Sequence, residues 1–202
     1  MPFCTNRKWR RLLLWALGAA WLATVAPALA DATGGVQVNA AQLTEVGNDY
    51  FLNADLGVHL TPTQKDALNK GVDLYFVLNF ELTRTRFFWF HETIASVRQQ
   101  YQLSYNVLTR QYQLSDGLSH KNYDTLAETI RQLGHIRQWK TVNGKTLSPG
   151  TTYRAGLQMK LDTSRLTKPM QLNALTSKDW TLDSGWHYWT ITPVPLAAPT
   201  QP

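Results

Sequence analysis

The segment VDLYFVLNFELTRTR, residues 72–86, alternates apolar and polar side chains over most of its length. The apolar side chains that share one parity are Val72, Leu74, Phe76, Leu78, Phe80 and Leu82. A period of two indicates a β-strand with one face in a core and the other towards solvent. Strands usually have about 5–6 residues, so we expect this one to bend or to contain a bulge near Thr83. A chain with such a strand has to build its fold around a sheet.

Other alternating segments follow at short intervals, and turn residues such as Pro149-Gly150 separate them. Residues 152–161 are one such segment, and we predict further strands at 170–175 and 180–191. Two stretches have helical signals instead: Thr61 to Lys70 begins with Thr-Pro, and Asn122 to Leu133 ends before a glycine. This order predicts a mainly β fold with two short helices, a meander-rich antiparallel β-sandwich or open barrel. We assign residues 31–191 to this single domain.

The N-terminus has the three parts of a secretory signal peptide. A basic leader ending at Arg11 precedes the uncharged run Leu12 to Val25, and Ala28-Leu29-Ala30 supplies the cleavage pattern. The apolar run is shorter than the roughly 20 residues that a bilayer-spanning helix needs. We therefore predict that residues 1–30 are removed, and that the exported chain has no transmembrane helix. The last segment, 192–202, has four prolines and no charge, which predicts a disordered tail.

Removing the signal peptide changes what the charge implies. The full chain has a formal net charge of +6, but four of its 20 Lys and Arg residues lie before Leu12. The mature chain then has 16 basic and 14 acidic residues, a net charge of +2. No Lys or Arg cluster remains that could follow a phosphate backbone, so we predict no nucleic-acid partner. Cys4 is removed as well, which excludes disulfides in the mature protein.

The motifs of common enzyme classes are missing from the sequence. It has no Gly-x-Ser-x-Gly elbow, phosphate-binding glycine loop or His-Glu-x-x-His motif, and its five histidines do not lie at metal-ligand spacing. Asp183 to His187 places a serine near a histidine, but we interpret it as a turn before an aromatic strand. His91 and Glu92 are neighbours and would point to opposite faces of a strand. We predict no catalytic residues, metal or cofactor.

Arg84 and Arg86 conflict with the pattern that precedes them. They share the parity of Val72 to Leu82, so a straight strand would direct both towards the core. A bulge could turn them outwards, or ion pairs could neutralise them, with Glu81, Glu92 and tyrosine hydroxyls as candidate partners. The functional alternative is a binding patch. Its residues would be Arg84, Arg86, Trp89 and Arg110.

Several motifs occur in the order that we associate with a known family. They are Arg84–Phe90 (RTRFFWF), Leu103–Leu114 (LSYNVLTRQYQL), Tyr153–Asp162 (YRAGLQMKLD), Leu166–Gln171 (LTKPMQ) and Asp179-Trp180. In these motifs the chain resembles the uncharacterised exported bacterial family DUF4390. The resemblance implies a periplasmic location in the Gram-negative envelope, and it suggests the periplasmic domain of a sensor kinase as a partner. It implies no catalytic residue.

Three functions follow as hypotheses. The first is a non-enzymatic periplasmic module that binds a protein or an anionic envelope component through the Arg and aromatic patch, with an aromatic anchor ringed by guanidinium groups. The second is a cell-wall hydrolase with a carboxylate or histidine site that the sequence spacing hides. The third is a carrier of a lipid or small ligand in an apolar cavity. We favour the binding module.

Overall fold

The structure, a computed structural model, describes residues 34–86 and 90–193. The side chains of residues 85, 86 and 90 are not described. The predicted signal peptide, Trp89 and all but the first two residues of the predicted tail lie outside the described residues.

Nine strands and three α-helices make up most of the described chain. The strands are β1 (Gly35–Val46), β2 (Asp49–His59), β3 (Leu74–Arg86), β4 (Phe90–Asn106), β5 (Gln111–Ser115), β6 (His120–Tyr123), β7 (His135–Asn143), β8 (Tyr153–Leu161) and β9 (His187–Ile191). The helices are α1 (Pro62–Asn69), α2 (Leu126–Leu133) and α3 (Lys168–Thr176). Short 3-10 turns lie at Gly144–Thr146, Thr163–Arg165 and Lys178–Trp180.

The strands form two antiparallel sheets. One has six strands in the order β6-β5-β4-β3-β8-β9, and the other has three in the order β1-β2-β7. β1 lies against β8 and β7 lies against β4, so the smaller sheet covers the middle of the larger one. The predicted β-sandwich is therefore confirmed, and the consecutive strands β3 to β6 form the predicted meander.

The inward row of β3 lies at the centre of the core. Leu74, Phe76, Leu78, Phe80 and Leu82 all have no exposed surface. β4 and β8 pair with β3 on its two sides, and the inward row of β8 is buried as well. Each fully buried large apolar side chain contributes about 1.5–3 kcal/mol relative to an exposed one, so this row is a large part of the folding free energy.

Local capping explains where the helices begin. Thr61 accepts a hydrogen bond from the Gln64 backbone N–H, and the Gln64 side chain accepts one from the Thr61 N–H, which is a capping box. The second helix begins at Leu126, after the cap Thr125. The predicted start at Asn122 was too early, because residues 120–123 pair with β5 as an edge strand.

The third helix corrects a predicted strand. Residues 170–175 lie in α3, which begins after Thr167 with a proline in its first turn. This is the Thr-x-Pro form of the signal that identified α1 at Thr61-Pro62, and it prevails over a weak alternation of apolar residues. Trp180 likewise lies in a 3-10 turn, where it is buried, and the last strand begins only at His187.

Gly134 joins α2 to β7 in direct contact with the neighbouring strand. Its carbonyl oxygen accepts a hydrogen bond of 2.8 Å from the Leu56 N–H. A Cβ at position 134 would overlap the Leu56 carbonyl oxygen. Backbone cannot move aside as a flexible side chain can, so only glycine fits here.

We predict that Gly134→Ala lowers the free energy of unfolding by about 1–3 kcal/mol, the usual range for overpacking. The matched control is Gly35→Ala, because a Cβ at position 35 meets no atom of the described residues within 4 Å. Urea denaturation of both variants measures the difference. Equal stability of the two variants would contradict the close contact.

Candidate functional site

A bulge in β4 determines which face Glu92 occupies. Leu82 pairs with Ala95 but Thr83 pairs with Thr93, which leaves Ile94 as an extra residue on β4. An extra residue reverses the faces of the side chains on one side of it relative to those on the other, so the residues before Ile94 occupy the faces opposite to those of an unbulged strand. Glu92 therefore points inwards, directly opposite Arg84. β3 itself keeps its parity, and the conflict in the sequence is resolved by its partner strand.

Arg84 and Glu92 form a half-buried ion pair at this end of the sheet. The Arg84 Nη2 donates to the Glu92 Oε2 at 2.7 Å, and the side chains are 25% and 38% exposed. The hydrogen bond to Glu92 raises the pKa of Arg84 above its ordinary value. Of the candidate partners in the sequence, Glu92 forms the ion pair with Arg84, and the Tyr153 hydroxyl makes a smaller contribution that also raises the pKa of Arg84. The Arg84 Nε is buried and has no hydrogen-bond partner among the described residues.

Two buried tyrosines continue this polar end of the core. Tyr153 is 1% exposed, and its hydroxyl accepts a hydrogen bond of 2.8 Å from the Ser148 N–H. The Tyr50 hydroxyl donates to the Glu45 Oε2 at 2.9 Å. Burial, followed by the hydrogen bond to Glu45, raises the pKa of Tyr50 to about 12. Sequence analysis placed Tyr153 in an inward row but did not assign Tyr50 or Glu45 to a site, because neither lies near Arg84 in sequence.

Beside these tyrosines, residues of three segments line a small cleft. Its volume is about 140 Å³, and its walls include Glu45, Tyr50, Leu147 and Pro193. In this cleft, the Tyr50 hydroxyl already donates a hydrogen bond to the Glu45 carboxylate.

The structure does not bring Arg110 to Arg84. Arg110 lies in the turn between β4 and β5, where it is exposed and has a positive φ of 56°. That turn follows Asn106, the last residue of β4, whereas Glu92 lies near the first. At about 3.3 Å per residue, the 14 steps from Glu92 to Asn106 (106 − 92) span roughly 45 Å. The structure therefore places Arg110 away from Arg84, at the opposite end of β4.

The other two residues of the predicted patch are Arg86 and Trp89. Arg86 pairs with Phe90 in the backbone ladder, and its side chain is not described. Trp89 lies outside the described residues. We call residues 84–92 the hairpin end.

The remaining candidates in the sequence have structural roles in the described part. His91 is exposed while Glu92 points inwards, so the neighbours do face opposite sides as expected. The Ser184 Oγ accepts from the Met159 N–H at 3.0 Å and donates to the Gly185 carbonyl oxygen. Gly185 has a positive φ of 63°, which is typical of a turn. This serine is used by the turn.

Residues 34–86 and 90–193 contain no group of three or more His, Cys, Asp or Glu side chains placed to hold a metal ion. Within the same ranges, no helix has the length and apolar character that crossing a bilayer requires.

The fold defines a two-sheet antiparallel β-sandwich with a charged pair at one end of its core. The family profile described as Domain of unknown function (DUF4390) matches residues 33–190, which is most of the chain. The chain therefore belongs to the DUF4390 family, as its motifs indicated. No curated protein and no solved structure matches it significantly.

We expect Tyr50 to stay protonated to about pH 12. Its pKa is higher in the folded chain than the ordinary value of about 10, so its contribution to stability is complete below pH 10 and is lost as pH rises through 12. Absorbance titration at high pH, compared between wild type and Tyr50→Phe, measures this pKa. If the tyrosine signal that disappears in Tyr50→Phe is one that titrates near pH 10 in wild type, the assignment is contradicted.

A double-mutant cycle of Arg84→Met and Glu92→Gln should give a larger coupling free energy than the exposed pair Lys70–Asp66, whose side chains are 70% and 65% exposed. Exposed i,i+4 pairs contribute about 0.3–0.5 kcal/mol, and partial burial reduces the screening that weakens them. Urea denaturation of the single and double variants gives both couplings. Equal couplings would show that burial adds nothing at Arg84.

Proposed function

We propose that this protein is an exported, non-enzymatic binding module, and that the hairpin end contacts a protein or an anionic component of the cell envelope. The observation that carries the proposal is the extent of the β3–β4 hairpin. Pairing between β3 and β8 reaches Thr83 and Arg154, whereas pairing between β3 and β4 continues to Arg86 and Phe90. The hairpin thus extends past the neighbouring strand of its own sheet.

The side chains at this extension also differ from those of the core. The inward row is apolar up to Leu82, and its next member is Arg84, paired with Glu92. A charged pair in this position marks where the hydrophobic core ends. The sequence beyond this pair is Phe87-Phe88-Trp89-Phe90, and we assign it to contact with a partner. Aromatic side chains beside arginines are enriched at the centres of protein interfaces.

Arg84 and Arg86 have different roles in this proposal. Glu92 already neutralises Arg84 at 2.7 Å, so Arg84 is a positioning residue that holds the two strands together at the base of the hairpin end. Contact with an anionic group is assigned to Arg86, and the aromatic anchor is assigned to Trp89. An export signal at residues 1–30 would deliver the module to envelope partners.

The test is cross-linking and pull-down from envelope extracts with the purified mature chain. We expect Trp89→Ala and Arg86→Ala to reduce recovery of the partner roughly tenfold or more, as hot-spot truncations do. Arg110→Ala is the matched control, since Arg110 lies at the far end of β4 and its loss should change nothing. Arg84→Ala should also weaken recovery, and Arg84→Lys should restore part of it.

Circular dichroism establishes that each variant folds. If Trp89→Ala and Arg86→Ala fold normally and keep every partner, the proposal is rejected. Release of soluble fragments from labelled cell wall by the purified protein would instead support the hydrolase hypothesis. Co-purification of a lipid that depends on no hairpin residue would support the carrier.

A further inference from the structure

The larger sheet extends past the smaller one on both flanks. β1 lies against β8 and β7 lies against β4. In the six-stranded sheet, β5 and β6 continue beyond β4, and β9 continues beyond β8. The inward faces of these outer strands need their own cover, because the smaller sheet does not reach that far.

On the β7 flank, α2 provides the cover. It packs against β5, β6 and β7. Leu133 is fully buried, and Leu126 and Ile130 pack against the core from the same helix. The second layer is thus complete on this side of the sandwich.

On the β1 flank, the cover is incomplete in the part of the chain that the structure describes. His187, Trp189 and Ile191 of β9 pair with Leu157, Ala155 and Tyr153 of β8, so they lie on the inward face. Ile191 shares a cleft with Leu43 and Glu45 of β1. His187, at the other end of the same inward row, is exposed. The layer above β9 is therefore open towards His187.

The outer edge of β1 borders this opening. Among the described residues, β1 is an edge strand and pairs with β2. It has 12 residues, with no charge from Gly35 to Thr44 and no proline. Edge strands are commonly protected by lysines, prolines or inward-pointing charges, because their free N–H and C=O groups pair readily with another chain. β1 has a bulge near Asn39 and one inward-pointing charge, Glu45, near its end, but its sequence from Gly35 to Thr44 carries none of the other devices.

Trp189 adds a polar group to the inward row of β9. Its Nε1 is buried and donates to no acceptor in the described part of the chain. A buried donor left without an acceptor costs about 1–3 kcal/mol. Its neighbour His187 has its ring centroid 5.9 Å from that of Trp189. The inward row of β9 thus combines the exposed ring of His187 and the partly exposed ring of Trp189 with an N–H that is already buried.

We propose that the outer edge of β1 and the inward face of β9 together form a binding site for one extended polypeptide segment of another protein. We call this the edge site. The segment pairs with β1 as an added strand and covers His187 and Trp189 with every second side chain. Those side chains are apolar, because a charge placed there would be held over the aromatic row without an ion-pair partner.

A second copy of this chain does not fit the edge site through its own β1. A two-fold axis that pairs β1 with its copy in one continuous sheet would place the copy of β9 where β8 already lies, since β9 extends one strand further than β1. The edge site thus accepts a segment without a second layer of its own. It does not depend on the function proposed for the hairpin end.

The test uses a capped synthetic peptide with the sequence of β2, DYFLNADLGVH. β2 already pairs with β1 on the other edge, and its alternate residues Tyr50, Leu52, Ala54, Leu56 and Val58 form an apolar row. We expect saturable binding, with slower amide hydrogen exchange confined to β1. A peptide with lysine at every position of that row should bind at least tenfold more weakly.

Two pairs of variants locate the site. Ala41→Lys, on the inward side of β1, should reduce peptide affinity at least tenfold, and Ala40→Lys, on the outward side, should not. Because Ala41 is partly buried, His187→Glu serves as a second variant at an exposed position, with Thr190→Glu on the opposite face as its control. Tryptophan fluorescence and thermal unfolding verify the fold of each variant.

Three results would overturn the proposal. The first is no protection of β1 by the peptide, or equal affinity for His187→Glu and wild type. The second is a concentration-dependent dimer that protects β1, which would make a second copy the occupant. The third is a large gain in peptide affinity when the chain is ended at Pro193, which would make the C-terminal segment of this chain the occupant.

Discussion

The burial of one row of side chains on β3 is the constraint on which the structure depends. This row has no exposed surface; its members are Leu74, Phe76, Leu78, Phe80 and Leu82. The neighbouring strands, β4 on one side and β8 on the other, are aligned with it. A slip of one residue would move all five into solvent. The register of the whole six-stranded sheet follows from that cost, and the smaller sheet packs on the face so defined.

The same constraint explains why both surfaces proposed for binding lie at boundaries of the core. At the hairpin end, the row on β3 passes from Leu82 to Arg84, and an ion pair takes the place of apolar contact. At the edge site, the larger sheet continues to β9 after the smaller one has ended at β1. In each case, strand pairing extends further than the second layer. Backbone hydrogen bonds and side-chain burial therefore end at different places.

The parts of the fold that sequence could predict are those in which one strand or helix contains its own signal. The inward rows of β3 and β8 follow from alternation within each strand, and α1 follows from Thr61-Pro62. The site could not be predicted in the same way. Its geometry depends on the extra residue Ile94 of β4. The position of that residue is determined by the pairing of β4 with β3, and β3 is a different segment of the sequence. Arg110 lies far from Arg84 because β4 has 17 residues and runs to Asn106, which puts the turn that contains Arg110 at the opposite end of the strand.

The bulge at Ile94 has a consequence for comparing relatives of this chain. It acts as a phase shift: positions before and after it follow opposite rules for which face they occupy. An alignment that closes a one-residue gap in β4 would match an inward residue with an outward one for the rest of the strand. In this chain, the number of residues between Glu92 and Ala95 determines which face of β4 is occupied by each residue that precedes the bulge.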